Sequence, residues 1–128
     1  MRKLLTENEF TKIESEEGVI IGTLKVDLID IDVVKGIIDL RLKVTDTIDP
    51  YPLLVNIRGV KNSTKEVRDF LASPKAAERV TVTALLIDSM VSATIGNFFM
   101  RISKPAVPTK IFTDEEEAIK WLNNKRKV

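Results

Sequence analysis

The sequence predicts an α/β protein. It reads as a single domain with a mixed sheet of four to five strands, opened by an antiparallel hairpin. Alternating strand–helix units follow, with helices mainly on one face. Three observations carry this expectation. Short β-branched and aliphatic runs at 19–26, 53–57 and 80–87 are bounded by Gly, Pro or Asp. Segments with apolar residues at helical spacing alternate with them, the pattern of strands joined by helical crossovers. Two Ser/Thr-x-x-Glu runs, at 63–66 and 113–116, mark helix starts.

The elements follow in order. Phe10-Thr11-Lys12-Ile13-Glu14 alternates apolar and polar residues, as a half-buried strand does. Glu16-Glu17-Gly18 reads as a turn into a second strand over 19–26. Asp30 is placed to cap a helix over 31–46, where Val34, Ile37, Ile38, Arg41, Leu42 and Thr45 recur at helical spacing. Two readings fit Arg41, which lies close to the apolar stripe. Its stem packs while its head reaches water, or it is a buried functional arginine.

Pro50 and Pro52 end this helix and direct the chain into a strand. The run 53–57 is apolar except for Asn56, as expected of an interior strand covered on both faces. Ser63-Thr64-Lys65-Glu66 opens the next helix, whose core face is Val67, Phe70 and Leu71. Ser73-Pro74 predicts a further short helix with proline at its first position. A buried strand over 80–87 ends at Asp88, and a helix is expected over 90–102. Residues 109–112 read as a short strand. Thr113-Asp114-Glu115-Glu116 starts a last helix with Ala118, Ile119 and Leu122 inward and Trp121 at the edge of that stripe. Residues 1–124 form the expected domain, and 125–128 a basic C-terminal tail.

Composition narrows function by exclusion. The 128 residues contain no His and no Cys. Zinc sites of the usual kinds, Ser-His-Asp triads and Cys-His dyads are therefore impossible, and no disulfide can form. No P-loop and no Gly-x-Gly-x-x-Gly run occurs. Asp27, Asp30 and Asp32 cluster loosely without calcium-loop spacing. Neither a metal, a cofactor nor a catalytic residue is assigned.

Net charge is +1, unevenly spread: residues 1–49 carry 7 basic and 11 acidic side chains, residues 58–110 carry 9 and 4. Basic and aromatic residues do not interleave as in single-strand binders, so nucleic acid is not an expected partner. The start has a basic pair but no apolar signal region, and no apolar run approaches membrane-spanning length. A cytoplasmic protein is expected.

In open α/β sheets ligands bind beyond the carboxyl ends of strands. That rule selects Arg58, Lys61, Ser63 and Thr64 after one strand, and Asp88 and Ser89 after another. Cations beside the free N–H groups of a helix start suit an anion; a solvated, hydroxyl-capped helix start accounts for the same residues. The segment 90–102 is apolar nearly all round. Val91, Ile95, Phe98 and Ile102 make one stripe, and Ala93, Gly96 and Met100 lie opposite, with Phe99 at the edge. Ala93, Gly96, Phe99 and Met100 are thus candidates for a contact between subunits of a homodimer or higher oligomer, with burial by the chain's own loops as the other reading.

The run Leu53-Leu54-Val55-Asn56-Ile57-Arg58-Gly59-Val60, with Ser63-Thr64 opening a helix, resembles the central strand and switch helix of STAS domains. These are the modules of anti-sigma-factor antagonists and of sulfate-transporter tails, and their fold is called SpoIIAA-like. The likeness is closer to small bacterial proteins described as STAS-like. It extends through Tyr51-Pro52, Ala84-Leu85-Leu86-Ile87-Asp88-Ser89, Ile95-Gly96-Asn97-Phe98-Phe99 and residues 112–122.

The resemblance implies a four- or five-stranded sheet and a non-enzymatic regulatory module that binds a protein partner. In the anti-sigma branch a hydroxyl at the switch-helix start is phosphorylated. Ser63 and Thr64 fall nearest that place, within Asn62-Ser63-Thr64-Lys65, which lies two residues early and lacks the Gly of the branch's Asp-Ser-Ser/Thr-Gly-like run. The alternative reading is a domain that binds a small anionic or lipid-like ligand.

Overall fold

A computed structural model describes residues 2–88 and 106–126. The fold begins with a meander: β1 (Lys3–Glu7), β2 (Thr11–Glu16) and β3 (Val19–Leu24) pair antiparallel in sequence. The β2–β3 turn has Glu17 at φ 50° and Gly18 at φ 85°. Positive φ at both central residues matches the right-handed twist of the strands it joins. The chain then runs through β4 (Leu28–Ile29), α1 (Ile31–Val44), β5 (Tyr51–Asn56), β6 (Asn62–Ser63), α2 (Lys65–Leu71), β7 (Val80–Leu86), β8 (Thr109–Phe112) and α3 (Glu115–Arg126).

The main sheet has the order β1-β2-β3-β5-β7-β8, with β3, β5, β7 and β8 mutually parallel. It is the expected mixed sheet, and among the described residues it is six strands wide because Lys3–Glu7 adds an edge strand. Leu4 is exposed on that strand, so little apolar burial marks it in the sequence. A two-stranded parallel ribbon, β4 with β6, stands beside the main sheet.

Strand alternation divides the core. Val19, Ile21, Leu54, Val82, Ala84 and Leu86 face α3, where Ala118 and Leu122 are fully buried against them. Ile57, Leu85 and Ile87 point the other way and pack with Val34 and Ile38 of α1 and Val67 of α2. The helices divide two to one between the faces among the described residues. Pro52 lies inside the buried strand β5 at a register shift against β7, between Tyr51 and Pro52. Proline lacks an N–H to donate, and the irregularity accommodates it.

Several local expectations move by a residue or two. Asp30 caps α1, its Oδ1 accepting from the Val33 N–H at 2.9 Å. The cap of α2 is Thr64, one residue beyond the expected Ser63: its Oγ1 accepts from the Val67 N–H at 3.3 Å. Ser63 is drawn into β6 opposite Ile29 instead. At α3, Asp114 accepts from the Glu117 N–H at 3.1 Å, where Thr113 was the expected first residue of the capping box.

The helix expected after Pro74 is a run of turns with i to i+3 bonds: Ala76 to Ser73, Ala77 to Pro74 and Glu78 to Lys75. The carbonyls of Ala76 and Glu78 are taken by Arg41, and Val80 already belongs to β7. No helical continuation is left to engage them. Helix α3 continues through Arg126, so Lys125 and Arg126 of the expected tail lie in its last turn. The expected helix over 90–102, with Ala93, Gly96, Phe99 and Met100, lies outside the described residues, as does Ser89.

Candidate functional site

The carboxyl ends of the parallel strands gather most of the residues the sequence singles out. Arg58 follows β5 and is exposed; its N–H donates to Asn56 Oδ1 at 3.0 Å, and its Nη2 to the Thr113 carbonyl at 3.4 Å. That second bond links the β5 exit to the β8–α3 turn. Lys61 is exposed, and its backbone N–H donates to the Asp27 carbonyl at 2.7 Å. Asn62 shares the same carbonyl at 3.1 Å. The chain before α2 is therefore fixed to the β3–β4 connection by its backbone, and the side chains stay outward.

Ser63 is half-buried, and Thr64 is exposed with its hydroxyl already accepting the cap bond. Asp88 is exposed two residues after β7. Arg58, Lys61, Ser63, Thr64 and Asp88 thus share one end of the sheet. The strands β3, β5, β7 and β8 follow one another in space as in sequence, so no reversal of strand order opens a crevice among them. What this edge presents is an open, mixed-charge surface. Among the described residues no group of three acidic side chains is arranged to hold a metal ion, and no helix is long and apolar enough to cross a membrane.

A second constellation lies inside, on the face covered by α1 and α2. Arg41 is only 5% exposed, so the reading in which its head reaches water does not hold. Its Nη1 donates to the Tyr51 hydroxyl at 3.0 Å and to the Glu78 carbonyl at 3.2 Å; its Nη2 donates to the Ala76 carbonyl at 3.0 Å. Its guanidinium carbon also lies 5.9 Å from the Tyr51 ring centroid. Thr45, wholly buried, donates to the Arg41 carbonyl at 2.7 Å and lies 2.9 Å from the Tyr51 hydroxyl. The directions then follow. With the Thr45 proton committed to a carbonyl, the Tyr51 hydroxyl donates to Thr45 and accepts from Arg41. The Tyr51 N–H donates to the carbonyl of Arg79 at 2.9 Å, a residue held at φ 69°.

Beside Arg41, between the sheet and the helices, is a cavity of about 160 Å³. Its walls are mainly aliphatic and include Gly22, Val55, Leu71 and Leu85. The helical spacing of α1 put Arg41 near this face, but its partners come from residues ten and more positions away. Gly22, within a β-branched strand, is the one local signal of the cavity in the sequence.

Away from both places, Arg2 joins the first two strands to α3. Its guanidinium lies 3.2 Å from Glu115 and 3.5 Å from Glu16. Partial burial works against its charge, but the hydrogen bond to Glu115 and the charges of Glu115, Glu16 and Glu14 outweigh it and raise the pKa. Lys25 donates to Glu7 at 2.8 Å and holds that carboxyl below its ordinary value, chiefly through the hydrogen bond and secondarily through charge.

The fold is that of SpoIIAA-like proteins. The chain is similar to an uncharacterised protein of the DUF3478 family with a SpoIIAA-like fold from Shewanella loihica PV-4, with a TM-score of 0.61 over 95% of each chain at 14% identity. At that identity the likeness establishes the architecture only. No curated protein matches the chain. A family model described as a domain of unknown function, DUF7793, matches residues 13–126, nearly the whole of the described fold. The chain belongs to the DUF7793 family.

Proposed function

We propose that this protein is a non-enzymatic regulatory module that binds a protein partner through the strand-end edge formed by Arg58, Lys61, Ser63, Thr64 and Asp88. The observation that carries the proposal is the chemistry of that edge. It offers exposed cations, a carboxylate and a threonine hydroxyl on a backbone fixed by hydrogen bonds. With no His or Cys anywhere in the chain, it has no group whose ordinary pKa suits it to shuttle protons near neutrality. The SpoIIAA-like fold is compatible with an interaction role and does not by itself select one.

Crosslinking capture from host extract, followed by purified binding, tests this. Arg58→Glu with Lys61→Glu should remove at least 90% of the captured partner while leaving the far-UV spectrum unchanged. Thr64→Glu should alter capture if charge at that hydroxyl regulates the surface. Equal capture by the wild type and the folded double variant would refute the assignment of this edge.

A further inference from the structure

We propose that the cavity between the sheet and helices α1 and α2 binds a small amphipathic monocarboxylate, with its carboxylate on Arg41 and its apolar body over Gly22. This site is distinct from the strand-end edge, and the proposal does not depend on the partner-binding role given above.

The first observation concerns charge. Burying a cation is costly unless it is paired and hydrogen-bonded. Arg41 is 5% exposed, and all three of its side-chain hydrogen bonds go to neutral oxygens. No carboxylate side chain pairs with it. Arg41 takes part in no ion pair among the described residues, and residues 89–105, 127 and 128 contain no Asp or Glu. The three bonds use both N–H groups of Nη1 and one of Nη2. The second Nη2 proton and the Nε proton have no acceptor among the described residues. A guanidinium presents its donors in a planar fork that matches a carboxylate.

The second observation concerns shape. On β3, alternation sends Ile20, Gly22 and Leu24 toward the cavity and Val19 and Ile21 toward α3. A strand-interior glycine weakens its strand and often marks close approach by a ligand or another backbone. No described backbone fills this place: a Cβ built on Gly22 meets no described heavy atom within 4 Å. Gly22 has no positive φ to account for it either, since Gly18 alone among the described glycines has one. A cavity of about 160 Å³ is close to the roughly 150 Å³ of an engineered apolar cavity that admits benzene. The body it takes is therefore about six carbons long or one aromatic ring across. Its mainly aliphatic walls favour such a body over water. Apolar walls around the Arg41 guanidinium, which has no carboxylate partner among the described residues, with Arg68 also on the lining, select a ligand with the complementary division, one anionic end and one hydrocarbon end.

Isothermal titration and amide chemical-shift mapping test the proposal, with sodium hexanoate and benzoate as probes. The controls are 1-hexanol, which has the body without the charge, and acetate, which has the charge without the body. Hexanoate or benzoate should bind at least tenfold more tightly than 1-hexanol and acetate, shifting the amides of Gly22, Arg41 and Leu85. Gly22→Val should abolish binding without lowering the melting temperature, because the added side chain occupies the cavity where no described atom stands. Arg41→Met should reduce the carboxylate-to-alcohol preference to about one. If Arg41→Met fails to fold, Gly22→Val alone decides. Undiminished carboxylate binding by folded Gly22→Val, equal affinity for hexanoate and 1-hexanol in the wild type, or no binding of either carboxylate overturns the proposal.

Discussion

Tyr51 shows how much one atom can decide. Its hydroxyl is both the acceptor for Arg41 and the donor to Thr45, so Tyr51→Phe leaves two buried partners short at once. A buried polar group without a partner costs about 1–3 kcal/mol. The variant should lose roughly that much in urea unfolding, with an unchanged denaturant slope. The two hydroxyls before α2 separate just as cleanly. Thr64→Ala should cost about 1 kcal/mol as a lost cap. Ser63→Ala, whose backbone is what β6 uses, should stay within about 0.5 kcal/mol. Reversed magnitudes in the same unfolding measurement would return the cap to Ser63.

Glu7 gives a pH dependence of known sign. Its carboxyl is held down in the folded state by Lys25. The stabilisation it lends is complete above the ordinary glutamate range and disappears as pH falls through the lower folded value. Melting temperatures of wild type and Glu7→Gln should therefore converge in acid and differ slightly at neutrality. At this scale the sequence is partly legible. Asp30 is readable as a cap because the cap bond spans three residues. The partners of Arg41 are not, because they are brought from two later segments by the sheet.

Elements were legible wherever burial is periodic. Residues 109–112 form the expected strand to the residue, and β5 is buried on both faces over Tyr51 to Leu54, as an apolar run interrupted only at Asn56 requires. The strand Lys3–Glu7 escapes that reading because it is an edge on which Leu4 is exposed and Leu5 alone packs, half-buried, against the core. The turns after Ser73 escape it because an arginine from another helix competes for the carbonyls a helix would use. Helix α3 belongs to the legible class. Leu122 is fully buried against the sheet, and Leu122→Ala should cost about 2–5 kcal/mol. Calorimetry should show this as a lowered transition that stays cooperative. A much smaller loss would mean that α3 docks more loosely than its burial indicates.

For the whole molecule, the absence of His and Cys set the limits within which any function must fit, and the sequence alone supplied that. The candidate edge was also legible, since strand ends can be located once strands are. The cavity was not, because it is made between the sheet and helices α1 and α2, and no window of sequence contains all of them. Self-association through Ala93, Gly96, Phe99 and Met100 is a separate proposal resting on sequence pattern. Sedimentation at increasing concentration should show a dimer or larger species, and Phe99→Lys with Met100→Lys should return it to monomer. A wild type that stays monomeric at millimolar concentration would dispose of the idea.

The main-sheet strands stand side by side in the order in which the chain runs. That spatial order is also an order in time. A chain emerging from a ribosome can lay down the meander from local contacts and then add each later strand to the outermost one already in place. No strand has to be inserted between two finished neighbours, so synthesis and assembly proceed in the same direction. Pairings remote in sequence are the slow ones, and here each waits only for the next segment to appear. The growing edge passes from β3 to β5 to β7 and stops at β8. With only four residues, β8 leaves the completed sheet a short last template for any neighbouring chain.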